Sequence, residues 1–263
     1  FVLFELGPGR GTMLHTLFRL TQAVPEFHQA MRLCLLESNA NLRAIQQDKL
    51  ATHNPVYIDD LDALPPLPII VLANEFFDTV PMRQFIKTRR GWAERKVTFK
   101  HNKFAFVEVP VTDIELPERK KGWMFETSPQ SHIVMHKIAA HIARHKGAGL
   151  IVDYGYETCP KKGTLDAWSN QTFTDVFAAP GKVDVTAGVD FTALAATAKN
   201  AGVDIEPLLA QGAFLTQQGI GERAKILRAH IPAKTMSINR DLYRLTSPEQ
   251  MGGAFHVLAI GKF

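Results

Sequence analysis

The first twelve residues, FVLFELGPGRGT, constrain the fold more than any other stretch of the chain. An apolar run, interrupted only by Glu5, leads into a loop with glycine at positions 7, 9 and 11, and a helical pattern follows. This order predicts a strand, a tight loop and a helix, the unit that opens a parallel α/β sheet. Glycine has no Cβ and tolerates positive φ, so the backbone of this loop can approach a ligand closely. A tight turn that holds no ligand is the alternative interpretation.

Strand and helix patterns continue to alternate along the chain. Near-continuous apolar strands separated by helices predict a parallel sheet that is covered on both faces. The predicted strands are residues 1–6, 32–38, 55–60, 69–76, 148–156, 203–210 and 254–263. The predicted helices are residues 12–24, 39–50, 128–147 and 190–202, with a polar, helical stretch near 217–245. We therefore predict an α/β fold with a seven-stranded, mostly parallel sheet and a helical segment before the last strand.

Residues 82–111 break this pattern. Their side chains alternate in the manner of strands, and turn residues stand at Arg90-Gly91 and His101-Asn102, so antiparallel strands are predicted. We expect a β-rich insert at 82–131, after the fourth strand, and a core formed by residues 1–81 and 132–263. Residues 157–187 are predicted to be irregular.

Composition excludes several classes of protein. Of the 263 residues, 46% are hydrophobic and 21% are charged, which is typical of a soluble globular chain. No apolar run reaches the roughly 20 residues of a membrane helix, so no membrane span is predicted. The two cysteines, Cys34 and Cys159, predict a reducing compartment and no disulfide framework. A net charge of +4 is a weak indication of an acidic ligand or partner, and nucleic acid is not predicted as a partner.

The spacing of the glycines discriminates between cofactors. The dinucleotide fingerprint is G-x-G-x-x-G, but here Gly11 comes one position early and Thr12 takes the place of the third glycine, which disfavours NAD and FAD. The pattern E-x-G-x-G-x-G after the first strand instead resembles motif I of the class I S-adenosylmethionine (SAM) methyltransferases. This resemblance implies a Rossmann-like methyltransferase core with SAM as the cofactor. The residues that it implies for cofactor binding are Glu5, Gly7, Pro8, Gly9, Gly11 and Thr12.

Acidic residues after the next two strands extend the predicted cofactor site. Glu37 ends the second strand, where a carboxylate can accept hydrogen bonds from both ribose hydroxyls, although NAD would be served equally and a solvated acid is the alternative. Asp60, after the third strand, stands where these enzymes often contact the adenine amine, and Asp59 and Asp62 compete for that assignment. The predicted cofactor set also includes Ser38, Leu61 and Asn74.

Longer phrases, in order across nearly the whole chain, narrow the resemblance. They are ELGPGRGT, LANEFFDTVPMRQF, FETSP, LIVDYGY, DVTAGVDFTALA, QGAFLTQQGI and MGGAFHVLAI. Together they resemble the MidA-type methyltransferase family, whose mitochondrial members are complex I assembly factors that methylate arginine on a core subunit of the NADH dehydrogenase. The chain departs from this family at Gly188, where histidine is expected. It also lacks the family's usual N-terminal region, so we expect a missing N-terminal segment.

Candidate catalytic residues follow the fourth strand, in the phrase NEFFDTVP. Asn74, Glu75 and Asp78 come after the carboxyl end of that strand, which places them at the predicted ligand crevice. An acceptor arginine is cationic, and carboxylates can orient its guanidinium through bidentate hydrogen bonds. Glu126, in FETSP, is predicted as a second acceptor acid. The alternatives are that Asn74 and Asp78 cap a turn and that Glu126 caps a helix.

The histidines and the basic segments are weak indications of a metal site or of RNA binding. His132, His136, His141 and His145 share one predicted helix, but no acid completes an H-E-x-x-H pattern, so we predict a polar helix face and no metal site. The basic stretches KTRRGWAERK and ERKKGW are interpreted as solvated hairpin turns rather than as RNA-binding segments.

The sequence therefore predicts a SAM-dependent methyltransferase, with residues 82–131 binding the acceptor. The resemblance to the mitochondrial members implies that the acceptor is arginine on a protein, a respiratory complex I subunit or its bacterial counterpart. The alternatives are a SAM-binding assembly chaperone with little catalysis, a methyltransferase of small molecules and, least favoured, a nicotinamide-dependent oxidoreductase. The expected location is the bacterial cytoplasm or the mitochondrial matrix. The oligomeric state, with a homodimer among the alternatives, stays open.

Overall fold

The computed structural model describes residues 1–169 and 172–262. Asn170 and Gln171, in the segment predicted to be irregular, and Phe263, at the end of the last predicted strand, lie outside the described residues.

The chain divides into two compact units. Unit 1 consists of Phe1–Phe76, Val134–Tyr154 and Ala195–Phe263, and unit 2 consists of Phe77–Ile133 and Gly155–Leu194. The predicted insert, 82–131, falls within unit 2, which also takes in residues 155–194 from later in the chain.

Strands and helices have the following bounds. The strands are β1 Val2–Leu6, β2 Arg32–Leu36, β3 Val56–Tyr57, β4 Ile69–Asn74, β5 Arg83–Thr88, β6 Gly91–Lys100, β7 Lys103–Val111, β8 Met124–Thr127, β9 Gly147–Tyr156, β10 Asp166–Ser169, β11 Thr172–Thr174, β12 Asp184–Thr186, β13 Val189–Asp190, β14 Asp204–Ile205, β15 Leu209–Ala210 and β16 Phe255–Lys262. The helices are α1 Thr12–Leu20, α2 Pro25–Ala30, α3 Ala40–Lys49, α4 Pro129–His145, α5 Phe191–Asn200, α6 Gln211–Gln217, α7 Ile220–His230, α8 Thr235–Thr246 and α9 Met251–Ala254.

The central sheet has the strand order β14-β16-β9-β4-β1-β2-β3. From β9 to β3 the neighbouring strands are parallel, whereas β16 runs antiparallel to β9 and β14 runs antiparallel to β16. Two short strands lie off this path, β15 beside β16 and β13 beside the last two residues of β9. A mostly parallel path of seven strands, with helices α6 to α9 before the last strand, confirms the predicted fold class.

The core around β1 explains why the chain opens as it does. All five residues of β1 are buried, and Leu3 packs in one cluster with Leu33 and Leu35 of β2. Helix α1 adds Leu14 and Phe18, four positions apart on one face, to the same cluster. Burial of each such side chain stabilises the fold by about 1.5–3 kcal/mol relative to exposure. This packing fixes β1 between its neighbours and so fixes the start of the loop that follows it.

Unit 2 contains two antiparallel sheets, with the orders β7-β6-β5-β8 and β11-β10-β12. Strands β6 and β7 form a long hairpin, and its turn is His101-Asn102, where both residues have positive φ. The antiparallel insert that residues 82–111 predict is thus confirmed. Strand β7 ends its sheet and carries Pro110, whose backbone nitrogen has no hydrogen to donate.

Three local predictions are wrong. Residues 157–187 are not irregular, because they contain the sheet of β10, β11 and β12, whose strands of three or four residues are too short to show a clear alternation. Residues 203–210 form two strands instead of one, and Pro207 lies between them, where its lack of an N–H interrupts pairing. The predicted helix 12–24 ends at Leu20, and α2 then begins with Pro25 at its first position.

Within residues 1–169 and 172–262, no helix combines the length and the apolar character that crossing a membrane requires.

Candidate active site

The carboxyl ends of β1, β2 and β4 meet at one edge of the central sheet. Strand β1 lies between the other two, and Leu6 pairs with Leu36 of β2 and with Ala73 of β4. From β1 the chain goes to β2 on one side, and after β3 it crosses back to β4 on the other side of β1. Such a switch point is where open α/β sheets bind ligands. The predicted residues Glu5, Glu37 and Asn74 all lie at or beside this edge.

The glycine loop between β1 and α1 follows a left-handed path. Gly7, Gly9 and Gly11 have φ of 63°, 54° and 66°. A Cβ added to Gly7 would lie 3.2 Å from Cδ2 of Phe76, and one added to Gly11 would lie 3.3 Å from Cδ1 of Leu50. At Gly9 an added Cβ would meet no atom within 4 Å. The first and third glycines are therefore held by packing within unit 1, while the middle one borders open space that a ligand can occupy.

Glu5 is a buried carboxylate at the end of this strand. Its residue is only 3% exposed, and Oε2 has no hydrogen-bond partner among the described residues. Burial raises the pKa of Glu5 to about 7. A buried acceptor without a donor is costly, so this site favours a ligand that brings a hydrogen-bond donor or a positive charge.

Gln46 of α3 connects the loop to Glu37, and the sequence analysis missed it. Its side chain is fully buried, and Nε2 donates to the carbonyl of Gly9 at 2.7 Å and to Oε2 of Glu37 at 3.3 Å. Oε1 of Glu37 accepts from the backbone N–H of Asn39 at 2.9 Å. Gln46 lies four positions after Leu42 and four before Leu50, and residues at this spacing share one face of a helix. The sequence therefore places a polar residue on the face that is predicted to be buried. That pattern is the signal that could have identified it.

The three acids after β3 each have a partner. Asp59 forms an ion pair with Arg43, and Asp62 accepts from Nζ of Lys137 at 2.6 Å. Asp60 accepts from the backbone N–H of Asp62 at 3.0 Å and from Nζ of Lys137 at 3.1 Å. Both contacts lower the pKa of Asp60, and the hydrogen bond from the backbone of Asp62 is the larger cause. Asp60 is exposed and caps the short turn that begins at Leu61. A contact between Asp60 and adenine stays a prediction.

Glu75 stands out among the residues that follow β4. Its φ is +50°, a left-handed conformation that is uncommon for a residue other than glycine, asparagine or aspartate. Its N–H donates to the carbonyl of Val152 at 2.9 Å, and its Oε1 accepts from Nδ2 of Asn74 at 3.2 Å. Both side chains are exposed. Strain of this kind costs about 1–3 kcal/mol and concentrates at functional sites.

The other predicted acceptor acids lie in unit 2. Asp78 accepts from Oγ1 of Thr186 at 2.6 Å, and its carbonyl accepts from the N–H of Ala187 at 3.2 Å. Glu126 is buried, and its carboxylate accepts from Nε2 of Gln84 at 2.6 Å and from both the N–H and the hydroxyl of Thr164 at 2.8 and 2.7 Å. These contacts tie β8 to β5 and to the segment before β10, and a contact between Glu126 and an acceptor stays a prediction.

The remaining predicted cofactor residues differ in burial. Pro8 is buried, whereas Thr12 and Ser38 are exposed, and Oγ1 of Thr12 accepts from Nζ of Lys49 at 3.4 Å. Across the described residues, no group of three or more His, Cys, Asp or Glu side chains is arranged to hold a metal ion.

A family model of S-adenosyl-L-methionine-dependent methyltransferases matches residues 1–208. The chain belongs to this family. The mouse protein named protein arginine methyltransferase NDUFAF7, mitochondrial, is 31% identical over 294 aligned residues, and its human counterpart is 29% identical over 295. Each comparison covers 99% of this chain and 66% of the relative, so the chain spans just under two thirds of these relatives' length.

Solved structures share the fold of this chain. A crystal structure of a Burkholderia thailandensis protein bound to S-adenosyl-homocysteine (SAH) has a TM-score of 0.85 at 26% identity, covering 99% of this chain and 71% of that one. A second crystal structure from the same organism has a TM-score of 0.84 at 24% identity, covering 99% and 74%. The predicted class I methyltransferase fold is confirmed.

SAM, the cofactor of this family, fits the loop region of unit 1. Glu5 offers a buried acceptor that lacks a donor among the described residues, and a SAM ammonium group is such a donor. The open space at Gly9 lets a ligand approach the backbone closely. Glu37 holds a carboxylate at the end of β2, in the position that suits two adjacent hydroxyls.

Replacing Gly9 tests whether the glycine loop holds SAM. We expect Gly9→Val to raise the dissociation constant of SAH at least about tenfold, because the new side chain would enter the open space beside the loop. Gly219→Val is a matched control, since Gly219 also has positive φ and open space around it. Isothermal titration calorimetry with SAH measures both. Equal affinities for the two variants would contradict this placement of the cofactor.

Replacing Gln46 tests whether it positions the loop and Glu37. Gln46→Leu removes both hydrogen bonds of Nε2, so we expect SAH affinity to fall about tenfold and the free energy of unfolding to fall by about 1–3 kcal/mol. Gln47→Leu, the same change at the exposed neighbouring position, should alter neither quantity. The decisive comparison uses 2′,3′-dideoxy-SAH: if Gln46 acts through Glu37, the variant should lose much less affinity for this analogue than for SAH.

Glu5 makes the stability of the cofactor-free protein depend on pH. Its pKa is about 7 in the folded chain and 4.5 as the reference value, so between these values the folded state holds more protons than the unfolded state. The contribution of Glu5 to stability is therefore full below about pH 4.5 and falls by about 3 kcal/mol as the pH rises through about 7. Urea unfolding across this range should show the loss in the wild type and in Glu26→Gln, an exposed control, but not in Glu5→Gln. A loss that persists in Glu5→Gln would assign it to other groups.

Proposed function

We propose that this protein is a SAM-dependent methyltransferase that methylates arginine on another protein. The names of its relatives support the acceptor class, since they are called protein arginine methyltransferases over a match that includes nearly all of this chain. We further propose that the acceptor is a subunit of the respiratory NADH dehydrogenase or of its bacterial counterpart. The protein would then act in the mitochondrial matrix or in a bacterial cytoplasm. The relatives' names place those proteins in the mitochondrion, which supports the first location.

One observation carries the proposal of catalysis: Glu75 is an exposed acid held in a strained conformation directly after the strand that borders the glycine loop. The next residue, Phe76, packs against Gly7 of that loop. A strained residue persists only where its surroundings hold it, so the conformation supports a functional role for this acid.

The residues proposed to hold SAM are those that frame the glycine loop. Glu5 would accept a hydrogen bond from the ammonium group, the backbone at Gly9 would lie against the ligand, and Glu37, held by Gln46 and Asn39, would accept from ribose hydroxyls. Ser38, Asp60 and Leu61 would flank the adenine, and Asn74 would contact the ligand from the end of β4. Bound SAM would supply a methyl group on a sulfonium sulfur, and a nucleophile that attacks the methyl carbon in line would release the sulfur as the thioether SAH.

The protein's own contribution is to align the acceptor and to stabilise its charge. The Glu75 carboxylate can accept two hydrogen bonds from a guanidinium group, which fixes the plane of that group. Asn74 donates to Glu75 and so orients it. When a guanidinium nitrogen gains a methyl group and gives up one proton, a nearby carboxylate can accept that proton. Alignment of this kind can supply much of the rate increase for a reaction between two bound groups.

Unit 2 is proposed to bind the acceptor protein. The predicted insert 82–131 lies within it, and Asp78 is a carboxylate of this unit in the segment that follows Phe76. Asp78 is therefore a second candidate for contact with the acceptor, and Glu126, whose carboxylate also accepts from Gln84 and Thr164, is a third.

The direct test is to label an acceptor. Purified protein and radiolabelled SAM are added to a lysate of cells that lack the gene, and the labelled product is located by mass spectrometry. Label on arginine of one protein is the expected result. Label on another residue or on a small molecule would refute the acceptor class. SAH binding by calorimetry with no labelled product would favour a SAM-binding assembly chaperone.

Glu75→Gln tests the proposed catalytic acid. We expect turnover of the labelled acceptor to fall about 100-fold, because the amide cannot accept a proton or balance the positive charge, while the SAH affinity stays within about twofold. Glu26→Gln is the control for loss of an exposed acid in unit 1. Glu75→Gly should raise stability by about 1 kcal/mol through relief of the left-handed strain, yet should be as inactive as Glu75→Gln. Unchanged turnover in Glu75→Gln would remove Glu75 from the catalytic residues.

A further inference from the structure

The small sheet of β10, β11 and β12 in unit 2 carries two aromatic side chains on one face. Trp168 of β10 pairs directly with Phe173 of β11 on one side and with Asp184 of β12 on the other. Residues directly opposite in antiparallel strands share a face, so these three side chains form a row across the sheet. Asp166, two positions before Trp168 in β10, belongs to the same face. We call these four residues the aromatic face.

The aromatic face is open to solvent. Trp168 is 42% exposed and Phe173 is 63% exposed. Their ring centres lie 6.0 Å apart with the ring planes at 85°, an edge-to-face contact between the two side chains. Ala167, the next residue of β10, belongs to the opposite face and is fully buried. Two large aromatic side chains that stay exposed side by side are typical of an interaction site.

The charges beside these rings are negative, although the chain as a whole is positive. Residues 164–186 contain three aspartates and one lysine, whereas the net charge of the chain is +4. Asp184 is exposed and Asp166 is partly buried. The ion pairs of the described residues use neither of these carboxylates. The face therefore offers two acids that a cation from another molecule can approach.

Arginine matches both features of this face. Its guanidinium group is planar and can stack on an aromatic ring while its N–H groups donate to a carboxylate. Side chains directly opposite in antiparallel strands have Cβ atoms about 4.5–5.5 Å apart, so one guanidinium can reach both the Trp168 ring and the Asp184 carboxylate. Lysine carries a compact, strongly hydrated charge that suits such a pair of contacts less well.

Other occupants fit the aromatic face poorly. Nucleic acid and anionic membranes present phosphate groups, which the aspartates repel. A purely apolar segment would cover the two carboxylates without giving them a hydrogen-bond donor, which is costly. In a symmetric dimer built on this face, the face would pack against itself and bring like charges together.

We propose that the aromatic face is a docking site for a basic, arginine-containing segment of a partner protein. One arginine stacks on Trp168 and donates to Asp184, while Phe173 packs against the methylene groups of the same side chain. Asp166 attracts a second cation of the segment. The proposal goes beyond the proposed function, because it assigns a recognition site that does not depend on methyl transfer.

The test measures binding of a fluorescein-labelled peptide of alternating arginine and serine to the SAH-loaded protein by fluorescence anisotropy. We expect Trp168→Ala and Asp184→Asn each to weaken binding at least about fivefold. Phe99→Ala and Glu108→Gln make the same kinds of change at exposed positions of the other sheet in unit 2, and each should change binding less than about twofold.

Variants of the peptide test the chemistry of recognition. Citrulline keeps the planar shape of arginine without its charge, so a citrulline peptide should bind at least about tenfold more weakly. A lysine peptide should lie between the two, since it keeps the charge but loses the bidentate contact. Binding should also weaken as the salt concentration rises. Trp168→Phe retains an aromatic ring and should keep more of the binding than Trp168→Ala, which separates loss of the ring from a general change in the sheet.

Other outcomes overturn the proposal. No binding to the wild type, equal binding of the arginine and citrulline peptides, or equal effects of Trp168→Ala and Phe99→Ala would exclude the aromatic face as an arginine site. If Trp168→Ala instead converts a dimer into a monomer in analytical ultracentrifugation, the face is a contact between two copies of this chain. Failure here is distinct from failure of the proposed function: a wild type that labels an arginine acceptor but does not bind the peptide would lose only the docking site.

Discussion

The conformation of the loop after β1 is fixed by steric contacts of its glycines. Gly7 lies against Phe76 and Gly11 lies against Leu50, and each glycine has a left-handed φ that a side chain would strain. The buried β1 fixes one end of the loop and α1 fixes the other. The backbone at Gly9 is therefore presented to the open side in one conformation before any ligand arrives. A site that is formed in advance loses less conformational entropy when it binds.

Polar groups around this loop show how the protein manages buried charge. Glu37 is satisfied by Asn39 and Gln46, so its position is set by the chain itself. Glu5 has an oxygen that the described residues leave without a partner, and burial raises the pKa of its carboxyl. One acid is held ready by hydrogen bonds, while the other is stabilised only when a donor joins it. The difference makes Glu5 the group whose protonation should respond most to occupancy of the site.

Much of the fold follows from patterns that depend on neighbouring residues alone. Apolar runs that end in glycine or an acid predicted β1, β2, β4 and β9. A strand that is buried on both faces needs apolar residues at nearly every position, so its sequence is easy to identify. The short strands β10 to β12 could not be predicted, since three or four residues gain their identity from pairing partners far along the chain. The same limit applies to the site. Its glycines are visible in the sequence, but the contact of Gln46 with Gly9 joins residues 37 positions apart, and the internal partners of Glu126 come from β5 and from Thr164.

Pro110 lies in the last strand of its sheet, where it limits aggregation through the exposed edge of the hairpin. An outermost strand with free amide groups is a template on which other chains can stack, and an apolar hairpin of this length would be prone to such aggregation. A proline in that strand removes one amide hydrogen and breaks the regular ladder that a newcomer would need. The side chains of β6 and β7 can thus stay uncovered while growth of the sheet into a fibre is discouraged. The backbone edge of the sheet is thus closed to further strands, while the apolar side chains stay exposed. This arrangement would let the protein present an apolar surface at cellular concentrations without self-association.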